Sequence, residues 1–156
     1  MLVNRVQPFP RVRYSQQALH NDLRRLQKAW RAYQESRRRD AIYEFLGCVL
    51  EILAIWTVDN SASGRSRQAL ALSGAPTPAA NEPFVLLITA AAHPHRVDER
   101  TLSKWTRVLQ FAAEHKLPST PLEAFAKRYG GINNCAAKFT RRVRKRSKQQ
   151  PRFTAV

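Results

Sequence analysis

Apolar residues recur at intervals of three and four along most of the chain, a pattern that predicts helices rather than strands. The first stripe begins after Ser15, whose hydroxyl is suited to cap a helix. The stripe consists of Leu19, Leu23, Leu26, Trp30 and Tyr33. Because the opposite face is strongly basic, we expect this stripe to pack into a core.

The next segment, 42–56, is apolar on nearly every side. Such a segment predicts a central helix that several neighbours surround. No glycine or proline separates it from the first helix, so one long helix is the alternative. Because the apolar positions change phase within 37–40, we favour two helices.

The following apolar segments are shorter and are bounded by turn residues. We expect a helix over 65–73, a helix over 84–92 capped by Asn81, and a helix that begins after Asp98. A strand over 84–88 is the alternative to the second of these, because a short apolar run has no clear period. No other segment offers that strand a partner, which favours the helix.

The strongest boundary signal lies at 120–123, where Thr-Pro-Leu-Glu fits a capping box with proline at the first helical position. A short helix follows and ends at the glycine pair 130–131. A last helix is expected over 132–146. Its inward residues are predicted to be Ile132, Cys135, Ala136, Phe139 and Val143.

These two helices fit either a helix-turn-helix or an ordinary helical hairpin. A helix-turn-helix requires a short first helix, a tight turn with glycine, and a second helix offered to the major groove of DNA. With Gly130 as the turn glycine, the small residue required in the first helix falls on Ala126. With Gly131 in that place it falls on Lys127, so we favour the first register.

The pattern as a whole predicts an all-α compact bundle of six or seven helices with basic ends. A proline-containing stretch over 74–83 is expected to be a linker between two helical halves. The expected parts are a basic arm over 1–14, an N-terminal half over 15–73, the linker over 74–83, a C-terminal half over 84–146 with the candidate helix-turn-helix at 121–146, and a basic tail over 147–156.

Charge adds an expected partner to this picture. The 156 residues include 27 Lys and Arg against 11 Asp and Glu, a net charge of +16. An excess of one sign repels itself in a compact chain, so we expect a polyanion to bind. Nucleic acid is the first candidate, with DNA favoured over RNA, and an anionic membrane surface is the second.

The candidate nucleic-acid-binding residues lie in the last helix and just after the first. Asparagine pairs bidentately with adenine, and Lys and Arg neutralise phosphates. At the start of a recognition helix, Asn133, Asn134 and Lys138 are expected to contact base edges. The residues expected on phosphates are Arg141, Arg142, Arg144, Lys145, Arg146 and Lys148, with a weaker second patch at Arg37, Arg38 and Arg39.

The sequence disfavours several other classes of protein. Two cysteines form no disulfide framework, and the longest apolar stretch contains Glu44 and Glu51, which favours a buried helix over a membrane span. There is no glycine-rich phosphate loop and no paired-cysteine zinc motif. His93 and His95 are expected in a surface loop. We therefore expect no enzymatic activity, no cofactor and no metal.

Part of the C-terminal half is similar to a group of known proteins. The residues in question are 103–109, 121–122 and 130–136, with an extension back to 41–43. They resemble small uncharacterised basic helical proteins encoded on bacterial plasmids and integrative elements. The resemblance implies a bacterial cytoplasmic protein, associated with the nucleoid or a nucleoprotein, and a setting of mobile-DNA maintenance. It implies no particular activity or site residue.

We therefore expect a non-enzymatic protein that binds double-stranded DNA in the regulation or maintenance of a bacterial mobile element. One alternative is a helical subunit of a larger nucleoprotein complex. Such a subunit would hold the backbone of RNA or single-stranded DNA, as a small subunit of an RNA-guided effector does. A second alternative is a protein-binding adaptor or inhibitor directed at an acidic surface. The oligomeric state and the target sequence stay open.

Overall fold

A computed structural model describes residues 15–149, and in this part of the chain it contains seven α-helices and no strand. The predicted arm over 1–14 and the end of the predicted tail, 150–156, lie outside the described residues. The all-α compact bundle is confirmed. Its helices are α1 (Gln16–Glu35), α2 (Ile42–Thr57), α3 (Ala62–Ser73), α4 (Pro83–Ala92), α5 (Glu99–His115), α6 (Leu122–Arg128) and α7 (Ile132–Gln149).

The central position predicted for α2 is confirmed. It contacts α1, α3, α4, α5 and α6, and ten of its sixteen residues are buried. Among them Phe45, Leu46 and Trp56 are almost completely enclosed. Each large apolar side chain buried in this way stabilises the fold by roughly 1.5–3 kcal/mol.

α1 and α2 are separate helices, as the change of apolar phase predicts. The N–H of Ser36 donates to the carbonyls of Ala32 and Tyr33 and ends α1 in an extended backbone. In one continuous helix Trp30 and Phe45 would lie about 22 Å apart along the axis. Their ring centroids are instead 5.1 Å apart, because the chain folds back between them.

Two polar contacts fix α1 against α2. The indole N–H of Trp56 donates to the Asp22 carboxylate at 3.1 Å, and Arg25 pairs with Glu51 at 2.7 Å. Partial burial raises the pKa of Asp22, although the bond from Trp56 and two nearby arginines oppose that rise. The Trp56–Asp22 bond therefore holds a carboxylate that has lost part of its hydration.

The segment 84–92 is helical, so the strand alternative is wrong. Eight of the ten residues of α4 are buried, which a helix between α1, α2, α3 and α5 permits. The predicted cap at Asn81 is also wrong. Glu82 precedes Pro83, the first residue of α4, and its carboxylate accepts from the N–H of Val85 at 3.1 Å. Burial raises the pKa of Glu82.

Of the other predicted helix caps, two form in the structure and one does not. The Ser15 hydroxyl accepts from Ala18, and the Asp98 carboxylate accepts from Thr101, as predicted. The capping box at 120–123 is wrong, because α6 starts one residue later, at Leu122.

One hydrophobic core joins residues from both sides of the linker. Within it four aromatic rings meet, those of Trp30, Tyr33, Phe45 and Trp105. The ring centroids of Trp30 and Trp105 are 6.3 Å apart. The indole nitrogen of Trp30 is buried without a hydrogen-bond partner in the described part of the chain. A smaller apolar cluster joins α3 to α1 and α4.

Matched tryptophan substitutions test the contribution of the Trp56–Asp22 bond. We expect Trp56→Phe to lower the free energy of unfolding by about 1–3 kcal/mol more than Trp30→Phe does. Both changes remove the same volume from the core, but only the first leaves a partly buried carboxylate without its donor. Urea denaturation measures the difference, and equal losses for the two variants would contradict this assignment.

Alanine substitutions at two glycines, one in the turn between α6 and α7 and one in α3, test whether that turn requires glycine. Gly130 has φ 91°, and a Cβ built there meets the Asn134 amide, so Gly130→Ala is expected to cost about 1–3 kcal/mol. At Gly64 a Cβ meets no other atom within 4 Å, and Gly64→Ala is expected to stabilise by up to about 1 kcal/mol. The two substitutions should therefore shift the melting temperature in opposite directions, which thermal denaturation measures.

Candidate nucleic-acid interface

A turn of three residues sets the direction of α7. The N–H of Gly131 donates to the carbonyl of Ala126 at 2.8 Å, and the N–H of Gly130 donates to that of Lys127 at 3.1 Å. This pair of bonds is a Schellman motif, in which a left-handed residue ends a helix. Gly130 and Gly131 both have positive φ, 91° and 97°, so the turn requires both predicted glycines.

The inward face of α7 packs mainly against α5. Cys135 and Ala136 are buried, and Ile132 and Phe139 pack against the core while partly exposed. The inward position predicted for Val143 is wrong, since its side chain is 47% exposed. Every residue of 141–148 is exposed, because no described helix covers this part of α7. The second half of α7 is therefore a surface helix.

Four residues form one line along the outward face of α7, which we call the outer stripe. They lie within about 60° of one another around the axis at 100° per residue. All are exposed, and the structure gives none of the three cations an ion pair within residues 15–149. The outer stripe consists of Asn134, Arg141, Lys145 and Lys148.

The two predicted base-contacting asparagines have different surroundings. The Asn134 amide donates to the carbonyl of Gly130 at 3.2 Å, so it helps to hold the turn. Asn133 is exposed and lines a groove against α5. Lys138 lies 5.0 Å from the ring centroid of Tyr129, a cation–π contact that leaves its ammonium group at the surface.

Glu114 on α5 attracts two of the predicted phosphate-binding arginines. Its carboxylate lies 4.0 Å from Arg142 and 3.8 Å from Arg146. The Glu114 carboxylate also lies 3.5 Å from His115, and Arg142 lies 3.5 Å from the same imidazole. Arg142 and Arg146 therefore face α5, whereas Arg144 has no such contact with an acid in the described chain.

A basic groove lies between α5 and the first half of α7. It has a volume of about 560 Å³, and Arg100, Lys104 and Arg107 line it from α5. None of these three residues is among the predicted nucleic-acid contacts, although their spacing of four and three places them on one face. The rest of the lining is Glu99, Ser103, Asn133, Ala136, Ala137 and Thr140.

The arginine cluster 37–39 lies in the connection between α1 and α2 and is exposed. Arg38 is 3.5 Å from Glu44. Beside the cluster, Asp40 pairs with Lys127 of α6 at 2.9 Å, and Lys127 also pairs with Glu123 at 2.8 Å. These two carboxylates raise the pKa of Lys127. The Asp40–Lys127 pair thus holds the connection that contains the cluster against α6.

The described residues offer little to other kinds of site. Among them no group of three or more His, Cys, Asp or Glu side chains lies close enough to hold a metal ion. Cys48 and Cys135 are buried free thiols, and burial raises the pKa of both, which disfavours the reactive thiolate. No helix over 15–149 is long and apolar enough to cross a membrane.

Comparison of the chain with protein-family models, with curated proteins and with solved structures finds no match.

Removing the Glu114 charge should loosen the last turns of α7 without unfolding the core. Exposed ion pairs contribute about 0.2–1 kcal/mol, so we expect Glu114→Gln to speed amide hydrogen exchange over 141–149 by about two- to fivefold. Glu35→Gln removes an equal charge from an exposed position at the end of α1 and serves as the control. Equal exchange in both variants would show that Glu114 does not hold α7.

Proposed function

We propose that this protein binds double-stranded DNA through α7. The observation that supports this proposal is the exposure of a helix with seven Lys or Arg and no acidic residue, whose second half no other described element covers. Such a helix has a high positive potential along its length, and a DNA backbone is the natural counter-charge. The outer stripe supplies the first set of phosphate contacts.

The arrangement of α5, α6 and α7 supports docking of α7 in the major groove. α6 has seven residues, a tight glycine turn follows it, and α7 packs mainly on α5 rather than on α6. This leaves the outward face of α7 open from its first turn, as a recognition helix requires. In this proposal Asn133 and Lys138 approach base edges, and Arg141 and Arg144 contact phosphates on either side.

The resemblance of 103–109 and 130–136 to proteins of bacterial plasmids and integrative elements gives the proposal a setting. We place the chain in the regulation or maintenance of such an element. A non-enzymatic role fits the buried, unreactive thiols and the engagement of most carboxylates in ion pairs and helix caps.

One observation favours a second candidate function, the holding of an RNA or single-stranded DNA backbone within a larger complex. The Asn134 amide is already bonded to the turn, and Asn133 lies at a basic groove. Few polar side chains are then left to discriminate bases. Binding to an acidic protein surface is the third candidate, and it is the one left if the protein binds no nucleic acid.

The outer stripe is tested by replacing its three cations together, with Arg141→Gln, Lys145→Gln and Lys148→Gln. Each phosphate contact contributes about −0.9 to the slope of log K against log salt concentration, so we expect the slope to become shallower by about 2–3. Fluorescence anisotropy with a duplex across a salt series measures it. The control is Arg24→Gln, Lys28→Gln and Arg31→Gln on α1, which removes equal charge from another exposed face.

The same titrations separate the candidate functions. A preference for duplex with sequence discrimination, reduced in Asn133→Ala, supports the leading proposal. Tight binding to single strands or RNA without discrimination supports the second candidate. Absence of binding to any nucleic acid at roughly 150 mM salt, a concentration at which specific complexes persist, overturns both. Equal slopes for the α7 variant and the α1 control overturn the role of the outer stripe.

A further inference from the structure

The geometry points to a second contact for the nucleic acid, in the basic groove between α5 and α7. We infer that this groove binds the phosphodiester backbone of the same nucleic acid that α7 contacts. The inference rests on the proposed function and adds α5 to the interface. Its three cations, Arg100, Lys104 and Arg107, are not among the residues that the sequence predicts to bind nucleic acid.

The spacing of these cations suits a backbone. They span eight residues of α5, about 11 Å along the helix axis. One strand of a duplex presents a phosphate about every 3.4 Å of its axis, so this span covers about three intervals between phosphates along that axis. Arg100 and Arg107 are exposed, and the Lys104 side chain is half-buried in the groove.

Acidic residues of the described chain offset only part of the groove's charge. The bonds from Thr101 and the nearby charge of Arg100 lower the pKa of Asp98, so Arg100 has a carboxylate in its neighbourhood. None of the three cations lies within ion-pair distance of a carboxylate over 15–149. Among the described residues of the lining, Glu99, in the first turn of α5, is the one acid. There the positive end of the helix dipole stabilises its carboxylate. The groove therefore keeps a net positive charge beside a helix that is itself basic.

Apart from Asn133, which the proposed function assigns to a base edge, the other groups of the lining favour phosphate over bases. Ala136 and Ala137 line the groove with small side chains and allow a close approach. The Ser103 hydroxyl is exposed, and the structure gives it no hydrogen bond within 15–149, so it is able to donate to a phosphate oxygen. None of the described residues that line the groove is aromatic, so they offer bases no ring on which to stack.

The groove is continuous with the basic surface of α7. Asn133, Ala137 and Thr140 line it from α7, and Arg144 follows Thr140 by four residues on the same face. A backbone that lies in the groove would reach Arg144 and then the outer stripe. The two surfaces together would contact more of the backbone than either alone.

The test replaces the three α5 cations with glutamine, as Arg100→Gln, Lys104→Gln and Arg107→Gln. We expect the salt slope for duplex binding to become shallower by about 2–3, because phosphate contacts contribute about one each. Cognate and unrelated sequences should weaken equally, since backbone contacts do not distinguish bases. The α1 triple variant is the charge-matched control, and circular dichroism checks folding.

A second pair of variants tests the groove with one substitution each. Ser103→Glu places a negative charge in the groove, and Ala32→Glu places one on the exposed face of α1. We expect duplex affinity at low salt to fall about tenfold for the first and about twofold for the second. Equal effects of the two substitutions would overturn the groove as a binding site. This comparison does not depend on whether the α5 triple variant folds.

The outcomes distinguish this inference from the proposed function. If the unmodified protein binds no nucleic acid at low salt, both are overturned. If the α7 variant loses its salt dependence but the α5 variant matches the α1 control, the groove inference alone is overturned. A shallower slope for both the α5 and the α7 variants, with the α1 control unchanged, supports a backbone that crosses both surfaces.

Discussion

α2 contributes ten buried side chains to the core, and neither α2 nor α4 contains a Lys or Arg. A chain with a net charge of +16 repels itself when it becomes compact, so apolar burial has to outweigh that repulsion. The sequence achieves this by keeping its two most apolar helices free of cations. The positive charge then lies on the other helices and in the connections, with long basic runs on the exposed faces of α1, α5 and α7.

The few acidic residues determine which cations stay available. Glu51, Asp59 and Glu114 each pair with arginine, and Asp40 and Glu123 share Lys127. These pairs hold helices and turns to one another across the bundle. The outer stripe and the basic groove have almost no acid beside them, and this contrast distinguishes an interface from a generally basic surface.

Periodicity was sufficient for the helices, because each buries a continuous apolar face that the sequence displays directly. Boundaries were predicted where a single side chain decides them, as at Ser15 and Asp98, and were wrong where neighbours compete, as at Asn81 beside Glu82. The candidate site was harder to predict. The contact of Arg142 with Glu114 and the groove between α5 and α7 depend on how two helices pack, which spacing along either helix does not reveal.

The positions of the three tryptophans make fluorescence and circular dichroism report on different parts of the molecule. Trp30 and Trp105 lie in one aromatic group and Trp56 lies beside Asp22, while α6 and α7 contain none of the three. Intrinsic fluorescence therefore follows the packing of α1, α2 and α5 and is insensitive to unwinding of the second half of α7. Far-ultraviolet circular dichroism follows all seven helices. A difference between the two melting curves would measure the stability of the basic helix separately from that of the core.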